Sequence, residues 1–528
     1  MKTLITTSAL VALLVAAGPA PAQVLRWASQ GDPQTMDPHS QNESMTNMMN
    51  GQVYEGLVGR DKKLGLVAAL ATEWQQTGPL VWRFKLRPGV KFHDGAPLTA
   101  DDVVFSINRA KAETSQINVY ANAVGTPVAI DPLTVEFRLD KVNPIFLQHI
   151  AAPLWIMSKL WSEKNKVTKP LDFKNKEESF AGFNSNGTGP YMLATRQPGI
   201  KTTYKRNPNW WGKLDGNVQE IVYTPISNDA TRLAALVSGE IDFVLDPAPR
   251  DVPRLRNTSG VKIIDGPENR IVFIGMDQQR DELLYSNVKG KNPFKDVRVR
   301  KALYQAIDIE TMKTKLMNGQ SYPTGGVTPS PLASYNDPQI ETRLPFDLVK
   351  ARALMAEAGY ADGFEVTIEC PNNRYINDEE ICIALAGMWA QLKVKVKVNA
   401  MPRVTYFPKL EKFDLSMYML GWGGAVTDAE TTLTPVLRNP GAGGIGAYNY
   451  GKATNDKFDT LAAQSSVEAD PKKREELVKA ALREYTAQAH VLPLHRQVIP
   501  WAMRSNVAVV HRADNWLQAT WVTVGPAK

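Results

Sequence analysis

Histidine is scarce and scattered in this sequence. The six histidines are His39, His93, His149, His490, His495 and His511. Only His490 and His495 are close, and a spacing of five residues takes the two side chains off a common helix face. The sequence also lacks a His-Glu-x-x-His zinc motif, a phosphate loop ending in Gly-Lys-Ser/Thr and a Gly-x-Ser-x-Gly nucleophile elbow. We therefore predict no catalytic residues, no metal ligands and no cofactor.

Long apolar runs are absent beyond the first 22 residues, so we predict neither a membrane span nor a membrane anchor. Lys2, the apolar run 10–17 and the small-x-small segment Ala20-Pro21-Ala22 form the pattern of an export signal. We expect residues 1–22 to be a signal peptide that is cleaved near Ala22. The residue directly after the predicted cleavage site is Gln23 and not a cysteine, so we expect no lipid anchor there.

Cys370 and Cys382 are the only cysteines in the chain. In an oxidising compartment outside the cytoplasm, a lone pair of thiols can close into a disulfide. The predicted bridge closes the loop 371–381, which contains Arg374. It either stabilises the fold alone or fixes the loop as a mount for a binding group.

Charge is modest, with a formal net charge of +7. The densest basic stretch, 393–397, alternates lysine with valine, as a strand with one solvated face does. We therefore predict no nucleic-acid partner.

Apolar residues make up 43% of the chain and charged residues 22%, which is typical of a soluble globular protein. About 500 residues are too many for one core and predict two or three domains.

Alternating patterns at 82–87 and 135–139, with a capped helix at 99–112 between them, predict a small α+β unit at 58–182. Beyond residue 293, helical patterns at 348–358 and 379–392 alternate with strand patterns at 364–369 and 394–398. This alternation predicts an α/β fold, with a sheet covered by helices.

Several segments resemble the family 5 extracellular solute-binding proteins, the peptide- and nickel-binding components of ABC importers. The matching segments are Leu-Ala-Thr-Glu-Trp at 70–74, Trp-Arg-Phe-Lys-Leu-Arg-Pro-Gly-Val-Lys-Phe-His-Asp-Gly at 82–95, Leu-Thr-Ala-Asp-Asp-Val at 98–103, Gly-Thr-Gly-Pro-Tyr at 187–191, Asn-Pro-Asn-Trp-Trp at 207–211 and Val-Arg-Val-Arg-Lys-Ala-Leu at 297–303. They follow the order of the family and span essentially the whole chain after residue 22.

The resemblance implies a clamshell of two lobes, like a type II periplasmic binding protein, with a small extra α+β domain in the first lobe. We expect lobe I to consist of 23–57, 183–270 and 496–528, the small domain of 58–182, and lobe II of 271–495. Hinge segments are expected near 269–275 and 493–501, with ligand between the lobes and closure around it.

The implied function is that of a periplasmic, monomeric, non-enzymatic receptor. It captures a small carboxylate-bearing solute, a peptide or peptide-like compound, and delivers it to the transmembrane subunits of an ABC permease with their ATPase. Two alternatives stay open at this point. One is a secreted hydrolase on a similar scaffold, and the other is a signalling or chaperone-like receptor without a transporter.

Peptide receptors of the family carry an aspartate in a Gly-Trp-x-x-Asp segment, where it pairs with the α-ammonium group of the ligand. Here the segment is Gly421-Trp422-Gly423-Gly424-Ala425, so an alanine takes the place of the aspartate. A buried ammonium group without a counter-charge is unfavourable. Asp428 or Glu430 is a candidate replacement.

Arg374 is the residue that we expect to bind the carboxylate of the ligand, because it falls at the place of the family's carboxylate-binding arginine and its planar fork suits a carboxylate. The other predicted ligand-binding residues are Gln30, Tyr375, Trp422, Gly423, Gly424, Asp428, Tyr448, Asn449 and Tyr450.

Overall fold

The structure of the protein is a computed structural model that describes residues 23–151, 153–175, 177–424 and 426–526. The predicted signal peptide, including its cleavage site near Ala22, lies outside these residues, and so does Ala425. Within the described ranges, no helix is long and apolar enough to cross a membrane.

The strands, in chain order, are β1 Val24–Ser29, β2 Val58–Arg60, β3 Leu66–Ala68, β4 Ala71–Gly78, β5 Val81–Leu86, β6 Thr126–Asp131, β7 Thr134–Arg138, β8 Tyr191–Gln197, β9 Lys201–Arg206, β10 Glu220–Pro225, β11 Phe243–Leu245, β12 Val261–Met276, β13 Ser321–Pro323, β14 Glu365–Pro371, β15 Lys395–Met401, β16 Met417–Gly423, β17 Val491–Arg504, β18 Val507–Ala508 and β19 Thr523–Val524. The α-helices are α1 Ser44–Asn50, α2 Ala100–Ala110, α3 Asn118–Ala123, α4 Phe146–Ile150, α5 Lys159–Lys164, α6 Asp229–Ser238, α7 Val252–Arg256, α8 Val297–Gln305, α9 Ile309–Thr311, α10 Pro338–Glu341, α11 Leu348–Glu357, α12 Asp378–Trp389, α13 Arg403–Glu411, α14 Glu430–Thr432, α15 Asp456–Ser465 and α16 Pro471–Ala487.

One mixed sheet of eleven strands runs through both lobes, in the order β15-β14-β16-β12-β17-β11-β1-β10-β9-β8, with β13 attached to β17. In lobe II, α8, α11 and α12 cover one face of the sheet, and α13, α15 and α16 cover the other. This arrangement confirms the predicted α/β fold, in which a sheet is covered by helices. A separate antiparallel sheet, β4-β5-β7-β6, packs with α2 to α4 around its own apolar core in the small domain.

The chain passes between the lobes in the two longest strands, β12 and β17. They pair antiparallel from Val261 opposite Arg504 to Gly275 opposite Val491, and the pairing is irregular between Pro267 and Ile271. On one side of this irregularity β11 continues the sheet into lobe I, and on the other side β16 continues it into lobe II. The predicted hinge segments, 269–275 and 493–501, lie in this ribbon, and their action as a hinge stays a prediction.

The disulfide predicted from the sequence is confirmed. Cys370 is the last residue but one of β14, and Cys382 lies in the second turn of α12. Their Cα atoms are 6.7 Å apart. Both cysteines are fully buried in the core of lobe II. The bridge therefore ties the loop 371–381 to the covered sheet.

Polar contacts also join the two sides of the cleft away from the ribbon. Gln116, in the small domain, donates a hydrogen bond of 2.6 Å from Nε2 to Oε1 of Glu411 in lobe II. Tyr448 of lobe II donates from its hydroxyl to the carbonyl oxygen of Gln116, at 2.7 Å. The lobes of this structure are therefore in contact, as in a closed clamshell.

Removing the bridge with the double substitution Cys370→Ala and Cys382→Ala should lower the free energy of unfolding by about 2–3 kcal/mol, because the unfolded chain gains loop entropy. Urea denaturation and calorimetry of both proteins measure the difference. Peptide mapping without reductant that recovers two free thiols from native wild-type protein would contradict the prediction.

The contact at Glu411 predicts a specific pH dependence. Burial raises the pKa of Glu411 to about 7, although the hydrogen bond from Gln116 acts in the opposite direction. A carboxyl group whose pKa is raised in the folded state stabilises the fold below its unfolded pKa, and this stability is lost as the pH rises through about 7. Glu411→Gln keeps an acceptor for Gln116 but does not titrate.

The melting temperature of Glu411→Gln, relative to wild type, should therefore rise between about pH 4.5 and pH 7 and level off above this range. Scanning calorimetry in matched buffers measures the difference. A difference that stays constant with pH would show that the carboxyl group is not buried against the small domain.

Candidate functional site

A cavity of about 300 Å³ lies between the lobes. Lobe I lines it with the segment around the start of α1, with the segment that leads into β2, and with residues near the end of the described chain. Lobe II lines it with the disulfide-bridged loop, with the end of β16 and with Tyr448 and Tyr450. Cavities of this size, enclosed between two lobes, are typical of small-ligand sites.

The disulfide-bridged loop is held in place at Arg374 and Tyr375. The Asp378 carboxylate, in the first turn of α12, accepts hydrogen bonds from the backbone N–H groups of Arg374 and Tyr375, at 2.8 and 2.9 Å. The Tyr375 ring lies on Gly421, where a Cβ atom would come within 2.5 Å of the ring. Because β16 has no side chain at this point, the loop can pack directly on the strand.

Arg374 lines the cavity and also forms an ion pair between the lobes. Its Nε atom lies 2.7 Å from Oε1 of Glu43, and Nη1 of Arg403 lies 3.2 Å from the same oxygen. The N–H groups at these two contacts are not aligned as hydrogen bonds, so the contacts are ionic. Burial opposes the ionisation of Glu43, but the two guanidinium groups lower its pKa to about 2.

Glu43 was not predicted as a site residue. It is the N-cap of α1 and accepts a hydrogen bond from the backbone N–H of Thr46 through its second carboxylate oxygen. Its partner Arg374 lies more than 300 positions away in the sequence. Local sequence gives no signal for this ion pair.

Of the predicted ligand-binding residues, the structure brings seven to the cavity: Arg374, Tyr375, Trp422, Gly423, Gly424, Tyr448 and Tyr450. The Trp422 ring packs against the Tyr448 ring, with centroids 4.8 Å apart, and its Nε1 donates to the carbonyl oxygen of Thr431. Gly423 is required because a Cβ atom there would lie 2.2 Å from the Asn269 carbonyl oxygen.

The structure places the other three elsewhere. Asp428 forms a two-point ion pair with Arg474, at 2.6 and 2.9 Å, and lines a different cavity. Asn449 is used in hydrogen bonds to the backbone of Arg438 and Ala453. Gln30 donates to the Tyr375 carbonyl oxygen, at 3.2 Å, and so contacts the loop from lobe I without lining the cavity.

Neither candidate replacement for the missing aspartate faces the cavity. Asp428 is neutralised by Arg474. Glu430 lies in a separate pocket beside Arg438, and burial raises its pKa to about 7. The expected role of Asp428 therefore has no geometric support, because both of its carboxylate oxygens already bind a guanidinium group.

The cavity contains four further charged or titratable groups that sequence reasoning did not identify: Glu55, Arg60, Arg270 and Arg512. Arg270 pairs with Glu268 at 2.7 Å, and Arg512 pairs with Asp514. These partners are two residues away in the chain, but nothing in the local pattern shows that the pairs face a cleft.

Glu55 accepts hydrogen bonds from Thr188 and from the indole N–H groups of Trp210 and Trp211, at 2.8 to 3.1 Å. Burial nevertheless raises its pKa to about 7. Arg60 donates to the Leu64 carbonyl oxygen and to the side chain of Gln148. Burial lowers the pKa of Arg60 to about 10, so its side chain is still charged at neutral pH.

Four arginines and two glutamates therefore face this cavity, together with aromatic rings from both lobes, among them Tyr54, Trp155, Trp422 and Trp516. The surplus of guanidinium groups favours an anionic ligand. Among the described residues, no three His, Cys, Asp or Glu side chains converge as a metal site requires.

Comparison with known proteins places this geometry in a family. The glutathione-binding protein GsiB of Escherichia coli (strain K12) is 27% identical over 456 residues, which cover 85% of this chain and 84% of that protein. Two solved structures share the fold. One is the Helicobacter pylori periplasmic binding protein DppA in complex with peptide STSA, with a TM-score of 0.82 and 22% identity over 94% of this chain and 97% of that one.

The other is the Escherichia coli murein tripeptide binding protein MppA, with a TM-score of 0.82 and 22% identity, over 96% of this chain and 99% of that one. The two-lobed, type II periplasmic binding protein fold implied by the resemblance is confirmed. The model of the bacterial extracellular solute-binding proteins, family 5, matches residues 65–444, which is more than two thirds of the chain. The chain therefore belongs to the family 5 extracellular solute-binding proteins and is a binding protein rather than an enzyme.

Proposed function

We propose that this protein is the periplasmic receptor of an ABC importer for a small, carboxylate-bearing, peptide-like solute. It is exported by its N-terminal signal peptide, binds the solute as a monomer between its lobes, and presents it to the permease subunits and their ATPase. The similarity to GsiB, a glutathione-binding protein, supports a short peptide-like ligand.

The observation that carries the proposal is the position of Arg374. Arg374 lines the cavity between the lobes, on a loop that a disulfide and Asp378 hold in place. A planar fork on a fixed mount is suited to two-point binding of a carboxylate. Because Glu43 contacts the Nε side of the same group from the opposite lobe, Arg374 can bind ligand and hold the lobes together at once.

This arrangement couples binding to closure. Glu43 reaches Arg374 and Arg403 only when the lobes meet, so the ion pair contributes to the closed state and is absent from an open one. A ligand carboxylate that contacts Arg374 adds affinity for the closed state alone, and this differential affinity shifts the population toward closure.

Mass spectrometry of small molecules released from protein purified from its own periplasm identifies the natural ligand.

Arg374→Gln should remove the ability of the protein to distinguish a carboxylate from an amide. With wild type, amidation of the glutathione carboxylate that Arg374 binds should weaken binding by about 2–5 kcal/mol, or roughly 30- to 4000-fold, because a buried charge loses its partner. With Arg374→Gln, acid and amide should bind within about threefold of each other, or roughly 0.7 kcal/mol. Isothermal titration calorimetry with both mono-amides measures these ratios.

Arg403→Gln is the matched control. It also removes a guanidinium group from Glu43, but Arg403 does not line the cavity. Its affinity for ligand can fall through weaker closure, but the ratio between acid and amide should stay as in wild type. If Arg374→Gln leaves that ratio unchanged, Arg374 serves only the contact between the lobes, and the proposed carboxylate site is wrong.

Acetylation of the α-amino group of glutathione should change affinity by less than about tenfold, or 1.4 kcal/mol. The reason is that the two acids that line the cavity are already engaged, Glu43 by two arginines and Glu55 by three donors. Position 425 is alanine. A large loss on acetylation that Glu55→Gln abolishes would identify Glu55 as the acid that binds the ammonium group.

A further inference from the structure

Arg60 differs from the other three arginines of the cavity because no carboxylate of the described residues lies within ion-pair distance of it. Arg270, Arg374 and Arg512 are paired with Glu268, Glu43 and Asp514. Arg60 donates only to a backbone carbonyl oxygen and to the neutral side chain of Gln148, and its Nε atom is buried without a partner. A largely buried cation without a counter-charge is unfavourable unless a ligand supplies one.

The ion pairs leave two guanidinium charges at the cavity without a carboxylate of their own, and Glu55, whose pKa burial raises to about 7, forms no ion pair with either of them. The pairs Arg270–Glu268 and Arg512–Asp514 are each neutral. Glu43 is shared by Arg374 and Arg403, so that cluster keeps one positive charge, and Arg60 provides the second. Asp246, which is close to Arg374, accepts hydrogen bonds from Asn515 and does not line the cavity.

The two charges belong to different walls of the cleft. Arg374 is on the bridged loop of lobe II, and its strongest acidic neighbours are Glu43, Glu268 and Asp246. Arg60 ends β2, at the start of the small domain, and its charged neighbours are Asp514 and Arg512.

Arg60 lines the first cavity and contacts residues that line a second one. This second cavity, of about 460 Å³, lies between the small domain and lobe II. Gln148, the hydrogen-bond partner of Arg60, and Leu66, its neighbour across the β2–β3 pair, both line it. Because Arg374 and Arg60 line the same first cavity, one ligand can contact both of them.

We propose that the ligand carries two anionic groups, the first bound by Arg374 and the second by Arg60. This inference rests on the proposed function and narrows its ligand class to peptide-like solutes with two carboxylates. The absence of an acid at position 425 fits such a ligand, because anionic ends need cations and not an ammonium-binding aspartate.

The test uses glutathione, which has two carboxylates, and the two mono-amides in which one or the other carboxylate is blocked. Calorimetric titrations are made with wild type, Arg374→Gln and Arg60→Gln. With wild type, each amide should bind about tenfold or more weakly than the diacid. Arg374→Gln should abolish discrimination against one amide, and Arg60→Gln should abolish discrimination against the other amide only.

Arg87→Gln is the matched control for Arg60→Gln. Arg87 is also an arginine of the small domain that donates to a backbone carbonyl oxygen and forms no ion pair among the described residues, but it does not line the cavity. Its substitution should leave all three affinities in their wild-type ratios. Unchanged melting temperatures without ligand verify that the variants are folded.

The titration results decide whether Arg60 binds a second anionic group. If wild type binds the diacid and one amide equally, or if Arg60→Gln keeps the wild-type ratios, the second anion site is overturned and the carboxylate site at Arg374 remains. The wild-type titrations give this answer even if a variant does not fold. If wild type binds none of the three compounds, the proposed peptide-like ligand class is overturned together with the inference.

Discussion

The structure depends on one antiparallel strand pair, the ribbon of β12 and β17. Each lobe adds its own strands to one half of this ribbon, and the ladder becomes irregular where the halves meet. An irregular ladder bends more easily than a regular one, which fits the hinge predicted for this segment. Glu268 and Arg270 lie in the irregular segment, and Arg270 lines the cavity, so the cavity lies beside the predicted hinge.

Some charged side chains of the cleft form ion pairs within the protein, and others remain free to bind a ligand. Glu43 connects lobe I to two arginines of lobe II, and Asp428 is fully used by Arg474. Such buried pairs contribute little net stability because desolvation offsets their attraction, but breaking one side is strongly unfavourable. These pairs therefore fix the relative positions of the segments that they join. Recognition of the ligand depends on the groups whose charge the pairs leave uncompensated.

Sequence patterns predicted the fold well where local signals were strong. The helical patterns at 348–358 and 379–392 matched α11 and α12 to within three residues at each end, because caps and apolar periodicity mark these helices. The pairing of Cys370 with Cys382 followed because the sequence has no other cysteine.

The site was predicted in part. The loop at Arg374 and the Trp422 segment were found through the family resemblance, but Glu43, Arg60 and Arg270 were not. Their roles arise from contacts across the cleft, which no local pattern records, and Asp428 was misplaced because nothing local reveals its partner Arg474.

Glu411 does not line the cavity that Arg374 and Arg60 face, yet its contact with Gln116 joins the two lobes. Affinity in such a receptor has two separable sources: the chemistry of the wall and the balance between open and closed forms. Substitutions at Glu411 should change how tightly any solute is held without changing which solute is chosen. Evolution can therefore adjust uptake to scarce or abundant nutrients at one place and exchange the nutrient at another.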